Sequence, residues 1–370
     1  MKAIALVPGT KILRVIDRHE PTVTRVDEVK VRIIRVGICG TDREEAAGGR
    51  ARVPEGNDDL VIGHEMFGKV VEVGEAVQRV RPGDYAVFTV RRGCGKCSPC
   101  MMNRSDMCET GEYEERGIWG IDGYQTEFVA DLEQYIVRVP AELESVGVLC
   151  EPLSIAEKAI TEALRVQLAR LPNAPACPDW LFGKRCLVAG LGPVGLLGAL
   201  ALKLRGAEVY GLDIIPANSR RALWLKAIGG RYIDGREVAA QKVADTLGPM
   251  DLIFEASGFA SLEFSLLDAL GLNGIYVLTG IPGSDRMIQI HGADLIRKLV
   301  LGNQLMFGSV NAARDHFQMA VSDLEQAYLR WGDSISEMIT HRYAPDDIIQ
   351  NLANHPPDEI KAVVEWSHIG

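Results

Sequence analysis

The sequence has no run of Lys and Arg anywhere along its 370 residues, and its formal charge is −10. A nucleic-acid polyanion would meet net repulsion with no basic patch to overcome it, so DNA and RNA are not expected partners. No apolar stretch is long enough to cross a bilayer, and no membrane partner is expected. The apolar segment at Met1–Val7 stops at Pro8–Gly9, too short for a signal-peptide core, so the expected location is cytoplasmic. Internal repeats and low-complexity tracts are missing as well.

What is present is the composition of a folded enzyme-sized chain, 47% hydrophobic and 24% charged. The length exceeds what one core usually reaches, which predicts two domains. The N-terminal part alternates short strand patterns with turns. Strands are expected at Ala3–Val7, Lys30–Val36, Lys69–Val73, Tyr85–Val90, Phe128–Ala130 and Tyr135–Val139. A helix is expected from Pro152 to Gln167, then an irregular, proline-rich loop over Leu171–Gly183.

The character changes near residue 151, and from Arg185 onward strand and helix signals alternate. Strands at Arg185–Leu191, Glu208–Asp213, Asp251–Glu255, Gly274–Leu278 and Gln304–Val310 alternate with helices that include Val194–Arg205 and Arg220–Ile228. Such alternation implies a parallel sheet covered on both faces. From about Asn311 an amphipathic helix and a final strand, Lys361–Trp366, could complete either domain.

The run Gly190-Leu191-Gly192-Pro193-Val194-Gly195 follows a strand and opens a helix. In a dinucleotide site the first glycine makes a tight turn, the second admits the pyrophosphate to the backbone, and the third lets helix and strand approach closely. The helix start then offers free N–H groups to the phosphates. Asp213 ends the next strand, near the separation of about 20 residues at which a carboxylate meets the ribose hydroxyls. A 2′-phosphate would meet like charge there, which favours NAD, with NADP the alternative if Arg220 or Arg221 reached a phosphate. A solvated helix face is the expected role of those two arginines.

Four of the eight cysteines crowd together as Cys94, Cys97, Cys100 and Cys108. Four soft ligands in so short a span suit a tetrahedral zinc with no open position, hence a structural site. An iron–sulfur cluster and a pair of disulfides are the alternatives. A second, dispersed set consists of Cys39, His64, Glu65 and Glu151, each of which taken singly would be an ordinary buried residue.

The string Gly63-His64-Glu65 with Gly68, Gly74 and Val77 resembles the zinc signature of medium-chain alcohol dehydrogenases. The segment Cys39-Gly40-Thr41-Asp42, the four-cysteine lobe and the glycine run follow in that family's order. Arg91-Arg92-Gly93-Cys94, Cys108-Glu109-Thr110-Gly111-Glu112, Glu151-Pro152-Leu153 and Glu359-Ile360-Lys361 are similar to the archaeal-type glucose dehydrogenases. The resemblance implies an α/β protein: a GroES-like, mostly-β catalytic domain over 1–153 completed by 311–370, and a Rossmann doubly wound parallel-sheet domain over 154–310. It implies a catalytic zinc on Cys39 and His64 with Glu65 and Glu151 as carboxylate ligands that exchange or act through water. Two zinc ions per chain and a homodimer or homotetramer follow from it. Thr41 would sit beside the substrate oxygen and pass its proton towards solvent, with Glu65 or Glu151 as an alternative relay. Zinc and cofactor would meet in the cleft between the domains.

By the same resemblance Glu115 and Asn311 fall where sugar-binding members place polar contacts. Val90 and Leu301 stand where asparagine and histidine are expected, which leaves a buried hydroxyl without a partner and points to a sugar, deoxy-sugar or polyol other than glucose. A threonine or simple-alcohol dehydrogenase uses the same zinc chemistry. A non-catalytic dinucleotide-binding redox sensor is the reading of another class, and it would be expected to lose metal ligands that are all present here.

Overall fold

The computed structural model describes residues 1–172, 174–175, 179–283 and 287–367. Part of the expected loop Leu171–Gly183 lies outside the described residues. The chain divides into two compact units, one formed by Met1–Ser154, Asn311–Tyr328 and Ile335–Gly370, the other by Ile155–Val310 and Leu329–Ser334.

In the first unit the eleven-residue strand Glu28–Ile38 is the axis of a seven-stranded sheet. Val29, Val31, Ile33 and Val36 are fully buried, and the pairing with Glu65–Val73 shifts register at Lys30/Val31 and at Ile33/Arg35. Glu65–Val73 pairs along one edge; Phe128–Leu132 and Lys361–Glu365 share the other. The tail strand therefore belongs to this unit, a point the sequence leaves open. It lies antiparallel to Glu28–Ile38 and parallel to Ile339–Tyr343, a strand the sequence pattern does not announce because its side chains are only half buried. Ile4, Leu6, Ile38, Ile62, Ala362 and Val364 form one core cluster of the unit, so N-terminal and C-terminal segments share a single core.

The second unit holds six strands, all parallel, in the order Arg231–Asp234, Glu208–Asp213, Arg185–Ala189, Met250–Glu255, Leu270–Leu278 and Leu305–Gly308. The parallel sheet predicted from strand–helix alternation is the one observed. Arg185–Ala189 is the first strand in sequence yet lies between the second and the fourth, so the sheet's order reverses beside its carboxyl end. That switch point is where a parallel α/β sheet offers a crevice for a ligand. Leu187, Ala189, Leu212, Ile253 and Tyr276 fill the core beneath it.

Candidate active site

Three elements of the first unit deliver the dispersed ligand set. Cys39 is the extended residue that precedes the short helix Gly40–Ala46, and its N–H donates to Asp42 Oδ2 at 2.8 Å. His64 follows Gly63, whose φ of +89° turns the chain into the strand Glu65–Val73. A Cβ at Gly63 would come within 2.6 Å of Gln125 Cγ, so the turn before the histidine needs glycine on both counts. Glu151 lies in the first turn of the helix Cys150–Arg170.

The ligand atoms of Cys39, His64 and Glu65 all lie within 4.8 Å of one another. Glu151 is outside that trio but close enough for its charge to be felt. Burial pushes its carboxyl up to about 8, His64 opposes the shift and Glu65 adds to it. Asp42 Oδ1 stands 3.5 Å from His64 Nδ1, which orients the ring and leaves its other nitrogen for a ligand. Burial disfavours the Asp42 charge, but His64 and the Cys39 N–H outweigh it and its pKa lies below the usual value.

The pocket thus gathers three buried carboxyls and a thiol against one histidine and one lysine. Glu65 Oε1 is buried with no hydrogen-bond donor among the described residues. Such a surplus of negative, unsatisfied oxygen beside sulfur and imidazole is unfavourable unless a cation completes it. The donor set of thiolate, imidazole and carboxylate is that of a catalytic zinc site. Thr41 Oγ1 lies 3.9 Å from Cys39 Sγ, at the edge of the same group.

Cys94, Cys97, Cys100 and Cys108 form the second cluster, their sulfurs again within 4.8 Å of one another. Cys94 and Cys100 sulfurs are 3.8 Å apart, which matches the edge of about 3.8 Å in a ZnS₄ tetrahedron with Zn–S near 2.3 Å. Hydrogen bonding from Thr110 first, then from the Lys96 and Cys97 backbone, draws the Cys94 thiol down to about 6. A thiol so poised is a ready thiolate ligand.

Glu115 and Asn311 are brought together, and both are buried. Glu115 Oε1 accepts from Asn311 Nδ2 at 2.8 Å and from Arg91 Nη2 at 2.9 Å. Arg91 is held in turn by the Asp106 carbonyl and by the Tyr113 ring, 3.9 Å away. Asn311 sits at φ +61°, a conformation asparagine tolerates, so its amide is aimed by the backbone as well as by Glu115. Val90 is buried, whereas Leu301 ends the helix Gly292–Leu301 with an exposed side chain.

In the second unit the glycine run does three separate things. Gly190 has φ +85°, and a Cβ there would stand 2.8 Å from the Ser257 amide. Gly192 precedes the helix Pro193–Leu204 and faces open space, with nothing within 4 Å of a built Cβ. Pro193 and Val194 open that helix. At Gly195 a Cβ would overlap the Gly190 carbonyl oxygen outright. Asp213 ends the neighbouring strand and is tied to the same loop, its Oδ2 accepting from the Leu191 N–H at 2.7 Å.

Gly190, Gly192 and Asp213 line a cavity of about 660 Å³ with Gly235, Ser257 and Arg221, a volume suited to a cofactor. Arg221 therefore faces this cavity instead of belonging to a solvated face, because the helix Arg220–Ala227 begins close after the Asp213 strand end.

Lys361, Asp42 and Arg91 have structural roles at these sites that the sequence pattern does not assign. A lysine opening the apolar strand Lys361–Glu365 is the available signal for the first. Glu255 is a fourth. Its Oε1 accepts from the Ser257 and Gly258 N–H groups at 2.6 and 3.0 Å and so fixes the turn against Gly190.

Two family models match the chain: the alcohol dehydrogenase GroES-like domain over residues 25–141 and the glucose dehydrogenase C-terminus over residues 144–366. A glucose 1-dehydrogenase of Methanocella arvoryzae is 37% identical over 367 residues, covering 99% of each chain. Glucose 1-dehydrogenase 2 of Vulcanisaeta moutnovskia is 36% identical with the same coverage. Among solved structures, Haloferax mediterranei glucose dehydrogenase in complex with NADP, Zn and gluconolactone superposes with a TM-score of 0.87 at 32% identity, covering both chains fully. Galactitol-1-phosphate dehydrogenase of Escherichia coli, at 22% identity and a TM-score of 0.79, shares the fold. With the GroES-like and parallel-sheet parts both matched along its length, the chain belongs to the zinc-dependent medium-chain dehydrogenase family, among the archaeal-type glucose dehydrogenases.

Proposed function

We propose that this protein oxidises a hydroxyl group of a sugar or polyol by hydride transfer to NAD, with two zinc ions per chain, one catalytic and one structural. The observation that carries the reading is the buried convergence of Cys39, His64 and Glu65 with an unsatisfied carboxylate oxygen. Cys39, His64 and the exchanging carboxylates Glu65 and Glu151 would hold the catalytic ion, and the four clustered cysteines the structural one. Bound zinc supplies a Lewis acid that makes a substrate hydroxyl more acidic.

The chain's own residues do the rest. Asp42 orients the His64 ring, and the Thr41 hydroxyl, which both donates and accepts, takes the departing proton towards solvent. Glu65 or Glu151, buried in the same pocket, is the alternative relay for it. Glu115 and Asn311, locked to each other and to Arg91, present a rigid polar pair to sugar hydroxyls. Buried, apolar Val90 in place of a hydroxyl-binding group supports a sugar, deoxy-sugar or polyol other than glucose, whereas Leu301 is exposed and adds nothing to that argument.

Gly190, Gly192, Pro193, Val194, Gly195 and Asp213 would hold the cofactor. The Asp213 carboxylate supports NAD; Arg221 in the same cavity, and the NADP complex of the Haloferax enzyme, support NADP. We further propose a cytoplasmic homodimer or homotetramer. Among the described residues no helix is long and apolar enough to cross a membrane.

The test is reduction of NAD and NADP across a panel of aldoses, deoxy-sugars, polyols, amino alcohols and simple alcohols, with metal content measured in parallel. Turnover of an aldose or polyol with two zinc ions per chain is expected. Turnover of threonine or simple alcohols alone would replace the substrate assignment, and one zinc with no turnover would end the catalytic one.

A further inference from the structure

Two loops of the first unit, both next to the site described above, are fastened to each other at Arg52 and Trp119. Arg52 lies in the loop after the helix Gly40–Ala46, the helix that Cys39 precedes. Its N–H donates to the Ile118 carbonyl at 3.1 Å, and its carbonyl accepts from the Gly120 N–H at 2.9 Å, a parallel bridge across Trp119. The preceding residue is fixed too, since the Ala51 N–H donates to the buried carboxylate of Glu45. On the other side Trp119 is locked to Glu115, each backbone N–H donating to the other's carbonyl at 2.8 Å. Gly117, at φ +73°, lets this turn press against the turn before His64, because a Cβ there would stand 2.4 Å from the Gly63 carbonyl oxygen.

The side chains complete the joint. The Arg52 guanidinium lies over the Trp119 ring, 5.6 Å from its centroid, within reach of a cation–π attraction. Arg52 is exposed, and no carboxylate pairs with it among the described residues. A guanidinium stacked by its face keeps its N–H donors in the plane of the group, where they match two oxygens of a carboxylate or phosphate. In a chain with 50 acidic and 40 basic side chains, a cation held in this way one turn from Glu115 has an anion from outside the chain as its natural partner. Resting on the sugar or polyol reading above and narrowing it, we propose that Arg52 determines specificity for a substrate with an anionic group, a sugar phosphate or a sugar acid. Trp119 is the positioning residue that holds the guanidinium at the site. His64 is buried and Arg52 exposed, so the anionic group belongs at the end of the sugar away from the reacting hydroxyl.

The experiment measures kcat and KM of the whole protein at saturating cofactor for glucose, galactose and mannose, each as the free sugar, as the phosphate ester of its terminal hydroxyl and as its uronic acid. Wild type is expected to favour an anionic form over its free sugar by about tenfold or more in kcat/KM, the factor a charge-assisted hydrogen bond supplies. The better of phosphate and carboxylate identifies the anion. Arg52→Gln should lower the anionic-to-free ratio by about tenfold or more, with the loss in KM and not in kcat, because the contact is made equally in the ground and transition states. Trp119→Leu should raise the same KM, and Trp119→Phe, which keeps an aromatic face under the guanidinium, should recover most of the loss. A tryptophan with a merely structural role would affect free and anionic sugars alike and leave their ratio where it was.

Free sugars oxidised as well as or better than their anionic forms overturn the proposal and leave the sugar reading intact. An Arg52→Gln protein whose anionic-to-free ratio matches wild type overturns it equally. If Trp119→Leu does not fold, the substitution at exposed Arg52 decides the matter alone. No turnover of any of the sugars, free or anionic, by protein that holds its zinc refutes the sugar reading itself, and the proposal with it.

Discussion

Two neighbouring glycines of the Gly190–Gly195 run offer a test in which stability and cofactor binding separate. At Gly195 an added methyl overlaps the Gly190 carbonyl oxygen, stands 3.0 Å from its carbon and meets Val188 Cγ1 at 3.4 Å. Unbonded carbons prefer about 3.5–4.0 Å, so helix and strand must part by roughly 1 Å. Gly190 cannot yield, since it is itself at φ +85° against the Ser257 amide. Overpacking of this kind costs about 1–3 kcal/mol, or a fall in melting temperature of roughly 2–12 °C for a unit of this size. The same displacement moves the helix N–H groups away from the pyrophosphate, and a loss of about 1.4 kcal/mol or more there is a tenfold weaker Kd. At Gly192 the added methyl meets nothing within 4 Å, and the φ of −69° suits any residue. Gly192→Ala should therefore melt within about 0.5 kcal/mol of wild type yet bind NAD at least tenfold more weakly, because its methyl occupies the space the pyrophosphate needs. Thermal melts of the ligand-free protein and fluorescence titration with reduced cofactor give both quantities. Wild-type cofactor affinity in Gly192→Ala, or wild-type melting in Gly195→Ala, would refute the assignment of those two roles.

Other consequences are as direct. Asp213→Asn removes the charge that repels a 2′-phosphate while keeping one acceptor for the Leu191 N–H, so the ratio of kcat/KM for NADP over NAD should rise about tenfold or more; an unchanged ratio would remove Asp213 from cofactor selection. Cys97→Ser should lower zinc content by one ion per chain and destabilise the Cys94–Cys108 lobe, with atomic absorption and limited proteolysis as the readouts. Asp131 is buried between Arg92 and Arg116; burial raises its pKa, but the two guanidinium groups outweigh it and hold it at about 2. Its folded value lies below its unfolded one, so the network's contribution of roughly 2 kcal/mol is present above pH ~4 and disappears as pH falls towards 2. Acid melts of wild type and Asp131→Asn should converge over that window, the variant being less stable by about 2 kcal/mol at neutral pH, where it lacks the charge that faces the two guanidinium groups.

Much of this fold is legible in the residues themselves. Five of the second unit's strands fall within a few residues of their expected positions, because parallel strands buried on both faces read as apolar runs such as Arg185–Ala189 and Met250–Glu255, whereas the edge strand Arg231–Asp234, with no fully buried residue, is not among those expected. Strands that run half exposed, Ile12–Asp17 and Ile339–Tyr343, carry no such signal and do not stand out in the sequence. The helix Gly292–Leu301 is not singled out either, although Leu295 and Leu299 pack one of its faces against the core. The sequence assigns Arg221 to a solvated face because its chain neighbours say nothing of the cavity that the Asp213 strand end opens beside it.

The distinction comes down to distance along the chain. Cysteines three residues apart, or glycines spaced two and three apart between a strand and a helix, must meet the same ligand because local backbone geometry brings them there, so the sequence alone determined the four-cysteine cluster and the glycine loop. It determined the histidine's neighbour Glu65 in the same way, but not the partner of that carboxylate. Lys361 reaches Glu65 only because two strands from opposite ends of the chain flank Gly37 in one sheet, and that register is set by the burial of a whole strand face, a property of the folded unit and of no short segment.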